Sequence, residues 1–344
     1  MKKLTLHHAS IAAFLMSAIP AFAQSSAPGR VPVTVKNFVR AESDLSFANL
    51  AKISGVGKFS HNRDVAPIDN QPIVRPNRDT LYSVGVFDLD AGPLTITLPD
   101  AGHRYRALQV ITEDEYTPEV IYRAGVYTFT RAQIGSRYVT LAVRTLVNPD
   151  DPADLAVAHR LQDAIGVKQA SIGQFDIPDW DPESQKKVRE ALLVLGATLP
   201  DSKGMFGAKA EVDPVRHLIG AATAWGGNPD HAAIYLNVVP QKNDGKTLYR
   251  LRAKDVPVDG FWSISVYNAK GFFQKNDLNA YTINNITAKH EPDGSVNVQF
   301  GGCDGKIPNC LPTTEGWNYM VRLYRPRAAV LDGQWHFPEA VQAN

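Results

Sequence analysis

The chain has 344 residues, with 36 Lys+Arg against 35 Asp+Glu and 44% apolar residues. This near-balance of charge argues against nucleic acid or an anionic lipid surface as the main partner, because both recruit proteins through excess positive charge. The length suggests about two average domains, and no stretch after the N-terminal segment approaches the roughly 20 apolar residues that a membrane span needs.

The N-terminus reads as an export signal. Lys2 and Lys3 form a positive start, Ile11 to Ala23 is apolar, and Ala21-Phe22-Ala23 supplies a small-x-small cleavage pattern before Gln24. The expectation is a signal peptide over residues 1–23, removed to leave a soluble periplasmic protein. A retained anchor is the competing reading. Cleavage would remove two lysines and leave 34 basic against 35 acidic residues, a net charge of −1. Cys303 and Cys310 are the two cysteines, separated by a loop rich in Gly, Pro and Asn. In an oxidising compartment such a pair is expected to form a structural disulfide. Two thiols are too few for a metal site, and there is no CxxC for redox work.

A Ser/Pro/Gly-rich linker covers residues 24–30. Val31 to Val35 alternates like a short strand, and Phe38, Leu45, Phe47, Leu50 and Ile53 then fall at roughly helical spacing before Gly55. Residues 80–89, 94–98, 105–112, 120–130 and 138–145 are rich in Val, Ile, Thr, Tyr and Phe, with turn residues between them. Their spacing predicts an N-terminal β-sandwich over residues 31–150. Asp151-Pro152, Asp181-Pro182 and Asp213-Pro214 each pair an N-cap acceptor with a residue suited to the first helical turn, which predicts a helical connecting segment over 151–230. Residues 233–239, 247–253, 260–267, 295–300 and 319–324 return to strand character and predict a second β-sandwich over 231–344. The expected fold is therefore mostly β with inserted helices (α+β).

Several familiar chemistries lack their motifs. There is no GxSxG nucleophile elbow. Gly245-Lys246-Thr247 resembles the end of a phosphate loop, but the earlier glycine is replaced by Pro240. Gly55-Val56-Gly57 lacks the third glycine of a dinucleotide site. No HExxH or His/Cys cluster has metal-ligand spacing, so neither a metal nor a cofactor is expected.

The most distinctive polar cluster is Arg75-Pro76-Asn77-Arg78-Asp79-Thr80-Leu81-Tyr82. Forked guanidinium donors, an amide and a carboxylate suit an anionic or polyhydroxylated ligand. The structural alternative is an internal Arg–Asp pair fixing the turn into a strand. Glu113-Asp114-Glu115, with Tyr116 and Glu119, suits a hard cation or acid–base work, or else is a solvated acidic edge. In Phe261–Asn268, alternation puts Trp262, Ile264, Val266 and Asn268 on one face, and Phe261, Ser263, Ser265 and Tyr267 on the other.

Asn77-Arg78-Asp79-Thr80-Leu81-Tyr82-Ser83 resembles the signature of an uncharacterised bacterial family, domain of unknown function 1254. Asp259 to Asn268, Asp293-Gly294-Ser295, Arg322 to Pro326 and Leu331 to Trp335 resemble its companion, domain of unknown function 1214. The resemblance runs from about residue 37 to 338. It implies two jelly-roll-like β-sandwich domains with helices between them and brings no established activity. One departure is Asn309-Cys310-Leu311-Pro312, where many members carry an Asn-Trp-Leu-Pro-like stretch. If that segment lines a site, a cysteine here replaces a ligand-facing aromatic.

The leading expectation is a site for a small molecule or glycan where the two β domains meet. Asn77 and Tyr82 would bind from one side, and Trp262, Tyr267 and Arg322 from the other. If the site is catalytic, Asp79 is the expected acid or base and Arg78 the stabiliser of developing negative charge, which suits a hydrolase or lyase. The alternatives are a non-catalytic binding protein of the envelope and a structural subunit forming a homo-oligomer.

Overall fold

The computed structural model describes residues 29–71 and 73–343; the signal-peptide reading of residues 1–23 lies outside them. The N-terminal part contains α1 (Phe38–Ser54), β1 (Ser60–His61), β2 (Thr80–Asp88), β3 (Leu94–Leu98), β4 (Arg106–Thr112), β5 (Glu119–Ile121), β6 (Gly125–Phe129), α2 (Arg131–Ile134) and β7 (Tyr138–Leu146). The middle holds α3 (Pro152–Asp163), β8 (Gly166–Lys168), α4 (Pro182–Gly196) and α5 (Pro214–Ala224). Then come β9 (Ala233–Val238), β10 (Tyr249–Ala253), β11 (Trp262–Tyr267), β12 (Thr282–Asn284), β13 (Val296–Phe300), β14 (Cys310–Leu311), β15 (Asn318–Tyr324), α6 (Ala328–Leu331) and β16 (Val341–Gln342). The protein is mostly β, with four open sheets and helices between them, an α+β fold.

In the N-terminal part a five-stranded sheet, ordered β1-β2-β7-β4-β5, shares a core with a three-stranded sheet, β6-β3-β8. Phe87, Leu108, Val110, Leu141 and Val143 from the larger sheet meet Leu94, Ile96 and Phe129 from the smaller. All nine residues of β7 are buried, because its second face is also covered. Phe47 of α1 and Trp225, just after α5, pack with Val86 and Tyr138 there. A strand covered on both faces carries apolar or paired residues at every position, which explains why β7 reads as a continuous run.

The three Asp-Pro starts behave as capping chemistry requires. Asp151 accepts from Ala153 N at 2.9 Å, Asp181 from Ser184 N at 2.9 Å, and Asp213 from Val215 N and Arg216 N, both at 2.9 Å. Helices α1, α4 and α5 bury one shared cluster around Phe38, Ala41, Leu192, Phe206 and Ile219. Each large side chain fully buried there contributes roughly 1.5–3 kcal/mol.

Two local expectations change. Val31 to Val35 forms no strand: Val31 makes a lone bridge to Trp180 and the chain then turns into α1. The run 120–130 divides into β5 and β6. After α3, Gly166 opens β8, an edge strand paired with β3.

The C-terminal part pairs sheet β14-β13-β10-β16 with sheet β12-β11-β15-β9. Between them lie Trp262, Ile264, Phe300, Trp317, Val321 and Leu323. Cys303 and Cys310 are disulfide-bonded at the edge of the first sheet. The N- and C-terminal sheets meet through an aromatic cluster in which Phe261 stacks on Tyr324 at 4.2 Å and meets the edge of Tyr105 at 5.0 Å. Gly260 makes this approach possible, since a Cβ there would sit 2.6 Å from Tyr324 O and 3.0 Å from the Tyr105 ring.

No helix among the described residues is long and apolar enough to cross a membrane.

Candidate functional site

Beside the aromatic contact lies a cleft of about 440 Å³. Its walls come from three places: residues 73–77 and Tyr82 of the N-terminal part, the turns flanking α4 and α5, and β9 and β15 of the C-terminal sheet. Ile73, Val74, Leu199, Met205, Phe206 and Met320 supply its apolar lining. Arg75, Asn77, Tyr82, Tyr235, Arg322 and Tyr324 supply its polar lining.

Register creates the polar wall. Tyr82 of β2 pairs directly with Arg144 of β7, and Arg322 of β15 pairs directly with Tyr235 of β9. Each sheet thus presents a tyrosine beside an arginine where the two sheets meet. The Arg144 guanidinium lies 5.5 Å from the centre of the Tyr82 ring, within cation–π range. It donates to Gln109 Oε1 at 2.6 Å and to Gly226 O at 3.5 Å.

Arg322 is 2% exposed. It donates to Ser265 Oγ at 2.8 Å, Tyr267 Oη at 2.7 Å, Arg75 O at 3.0 Å and Pro76 O at 3.2 Å. Arg75 donates to Asn318 Oδ1 at 3.2 Å, while its buried Nε has no partner. All these acceptors are neutral. None of Arg75, Arg144 and Arg322 makes an ion pair among the described residues. Asp201, the acid at the rim, pairs with Arg216. Buried cations normally have a charged partner, because removal from water costs several kcal/mol that neutral acceptors only partly restore.

Two tyrosines at this wall are driven apart in acidity. Asn77 Nδ2 donates to Tyr324 Oη at 2.9 Å and to Tyr82 Oη at 3.3 Å. Burial raises the Tyr82 phenol, but the Arg144 charge and hydrogen bonds with Thr80, Arg144 and Asn77 outweigh it, so its pKa falls below the ordinary value. Tyr324 goes the other way: burial and the neighbouring Tyr235 and Tyr82 hold its pKa well above the ordinary value.

The sequence-predicted residues divide into groups. Asn77, Tyr82 and Arg322 come together at the cleft. Tyr267 sits behind them, fixing Arg322 and donating to Pro76 O at 2.9 Å. Trp262 is in the C-terminal core, 5.9 Å from Phe337, with Ile264 and Val266 on the same face. Arg78 points away from the cleft, donating to Ala66 O with its guanidinium over the Tyr281 ring at 5.3 Å.

Asp79 is fully buried and makes no ion pair with Arg78. Its Oδ1 accepts from Asn284 Nδ2 at 3.1 Å and Thr282 Oγ1 at 3.2 Å, both from β12, while Oδ2 has no partner. It is not among the residues lining the cleft. Its field reaches Arg322 without contact.

The acidic run is not a solvated edge. Glu113 and Glu115 are buried, and Asp114 forms a two-pronged pair with Arg40 at 3.0 and 2.8 Å. Glu113 Oε2 accepts from Tyr138 N at 2.9 Å, and Glu115 Oε1 accepts from Gly226 N at 2.9 Å. Burial pushes Glu115 up to about 8. Among the described residues no group of three or more His, Cys, Asp or Glu has metal-holding geometry.

Sequence reading missed Tyr235 and the 199–206 turn at the cleft, and Arg144 behind Tyr82. A lone arginine amid the apolar run 138–146 was the available signal, since an unexplained charge in a doubly covered strand needs a purpose.

The fold is shared with a solved structure, the VPA0106 protein from Vibrio parahaemolyticus, at a TM-score of 0.71 and 20% identity, over 90% of this chain and 98% of that one. A putative uncharacterized protein from Burkholderia cenocepacia aligns at a TM-score of 0.49 and 12% identity, over 89% of this chain and 86% of that one. No curated protein matches the chain. Residues 56–117 match the family described as Protein of unknown function (DUF1254), and residues 237–328 match Protein of unknown function (DUF1214). The two matches, in this N- to C-terminal order, are those of the tandem DUF1254–DUF1214 family.

Proposed function

We propose that this is an exported, periplasmic protein whose cleft binds a small organic anion, a carboxylate with an apolar portion. The observation that carries the reading is the pair of arginines lining one cleft, Arg75 and Arg322, whose hydrogen-bond acceptors among the described residues are all neutral. An entering carboxylate would supply the missing negative charge, and charge-assisted bonds to guanidinium are about twice as strong as neutral ones. The apolar lining, from Ile73 to Met320, suits an aliphatic or aromatic tail better than a bare sugar. Export is supported by the Lys2-Lys3 start, the Ala21-Phe22-Ala23 pattern and the Cys303–Cys310 bond.

Calorimetry with aliphatic and aromatic monocarboxylic acids, their primary amides and neutral sugars tests this. Acids are expected to bind and the matched amides to bind far more weakly. Arg75→Met should weaken acid binding about 10-fold or more, the equivalent of one charge-assisted hydrogen bond. Equal binding of acid and amide, or binding of sugars alone, would overturn it.

A further inference from the structure

We infer that Tyr82 and Tyr324 are a proton-transfer pair, Tyr82 accepting and Tyr324 donating, that acts on an organic acid held in the cleft. The inference rests on the anion-binding reading for its substrate class and on separate geometry for its chemistry. Both hydroxyls belong to cleft-lining residues, and one amide, Asn77 Nδ2, contacts both of them at 3.3 and 2.9 Å. An amide shared in this way fixes the distance between the two oxygens. The Arg144 guanidinium, 5.5 Å from the Tyr82 ring centre, favours the phenolate of that residue. Tyr324 stacks on Phe261 at 4.2 Å and meets the tilted ring of Tyr105 at 5.4 Å, a buried setting that favours the neutral phenol.

The groups facing Tyr82 are Arg144 from β7, Asn77 and Thr80 from its own segment, and Tyr324 from β15. Arg322 from β15, Tyr235 from β9 and Tyr105 complete the charged and titratable surroundings of the pair. Two like groups whose settings push their acidities in opposite directions are suited to opposite roles in one reaction. The directions found here, Tyr82 below and Tyr324 above the ordinary tyrosine value, agree with that division.

The step needs no co-reactant. In an α-keto acid the C3–H bond next to the keto carbonyl breaks, its proton passes to the Tyr82 phenolate oxygen, and its electron pair stays on the substrate as the enolate of the keto group. Tyr324 hydrogen-bonds the enolate oxygen, and Arg75 and Arg322 hold the carboxylate. Return of a proton from Tyr82, after exchange with water, restores the acid.

Two measurements on the full-length mature protein test the pair. Ultraviolet difference titration should show one of the 12 tyrosines ionising before the rest, and this early step should vanish in Tyr82→Phe but persist in Tyr127→Phe. Proton NMR in deuterium oxide should show exchange at C3, the carbon next to the keto group, of α-keto acids with aliphatic or aromatic tails. The rate should fall about 100-fold or more in Tyr82→Phe and stay unchanged in Tyr127→Phe. An early tyrosine that survives Tyr82→Phe, no early tyrosine at all, or bound acids that exchange no faster than with Tyr82→Phe, would each overturn the pair. If Tyr82 titrates early and exchange occurs, yet the acids and their amides bind equally, the pair stands and the anion reading alone falls.

Discussion

Tyr82 and Arg144 are direct cross-strand partners in the N-terminal sheet, with the guanidinium 5.5 Å from the ring centre and, among the described residues, no carboxylate paired to it. The arginine therefore does two jobs: it acidifies the phenol and supplies donors to Gln109 Oε1 and Gly226 O. Arg144→Met keeps the apolar stem and removes both. Tyr82 is then expected to titrate later than in the parent protein, because only the hydrogen bonds with Thr80 and Asn77 still oppose burial. Stability should fall by about 1–3 kcal/mol from the acceptors left without a donor. Ultraviolet titration and urea unfolding of the same variant check the two effects separately.

Glu115 gives the protein a pH dependence with a definite sign. Its carboxyl is buried, with Oε2 unpartnered, and keeps its proton up to about 8, against an ordinary value of 4.5. Between those values the folded state holds a proton that the unfolded chain has released. Stability therefore declines as pH rises through that window and levels off above it. Asp44, raised to about 6 by burial, adds to the same trend. Glu115→Gln should remove its share, gaining on the order of 1–4 kcal/mol at alkaline pH and little at about pH 5. Urea midpoints at both pH values decide it; an equal effect at each would contradict the assignment.

Asp79 joins the two β parts from a fully buried position, accepting from β12 through Asn284 and Thr282. Asp79→Ala strips both donors of their acceptor and is expected to cost about 1–3 kcal/mol. Asp79→Asn retains an acceptor and should cost less. Neither change should alter acid affinity in the fraction that remains folded, since Asp79 does not line the cleft. Loss of C3–H exchange in a stable Asp79→Asn would instead return Asp79 to the chemistry.

Much of the fold was legible because its causes are local. Asp-Pro starts capped α3, α4 and α5 because the acceptor and the first-turn residue are adjacent in the chain. Alternation in β11 separated Trp262, Ile264 and Val266 from Ser263, Ser265 and Tyr267, and the structure puts the first set in the core and turns the second towards the N-terminal part. Short edge strands such as β8 and β16 carry no periodicity of their own; pairing with a partner strand alone makes them strands.

The sequence by itself determined the polar segment from Arg75 to Tyr82, the tandem family and the α+β class. Tertiary structure decided what that segment does. Arg78 and Asp79 are neighbours in the chain, yet one lies over Tyr281 and the other faces β12, because the chain bends at Asp79 as it enters β2. Tyr82 and Arg144 are 62 positions apart, and Asn77 and Tyr324 are separated by 247. Strand register and the meeting of two sheets bring them to one wall. No spacing rule within the chain encodes that contact, because register is set by which faces can be buried together.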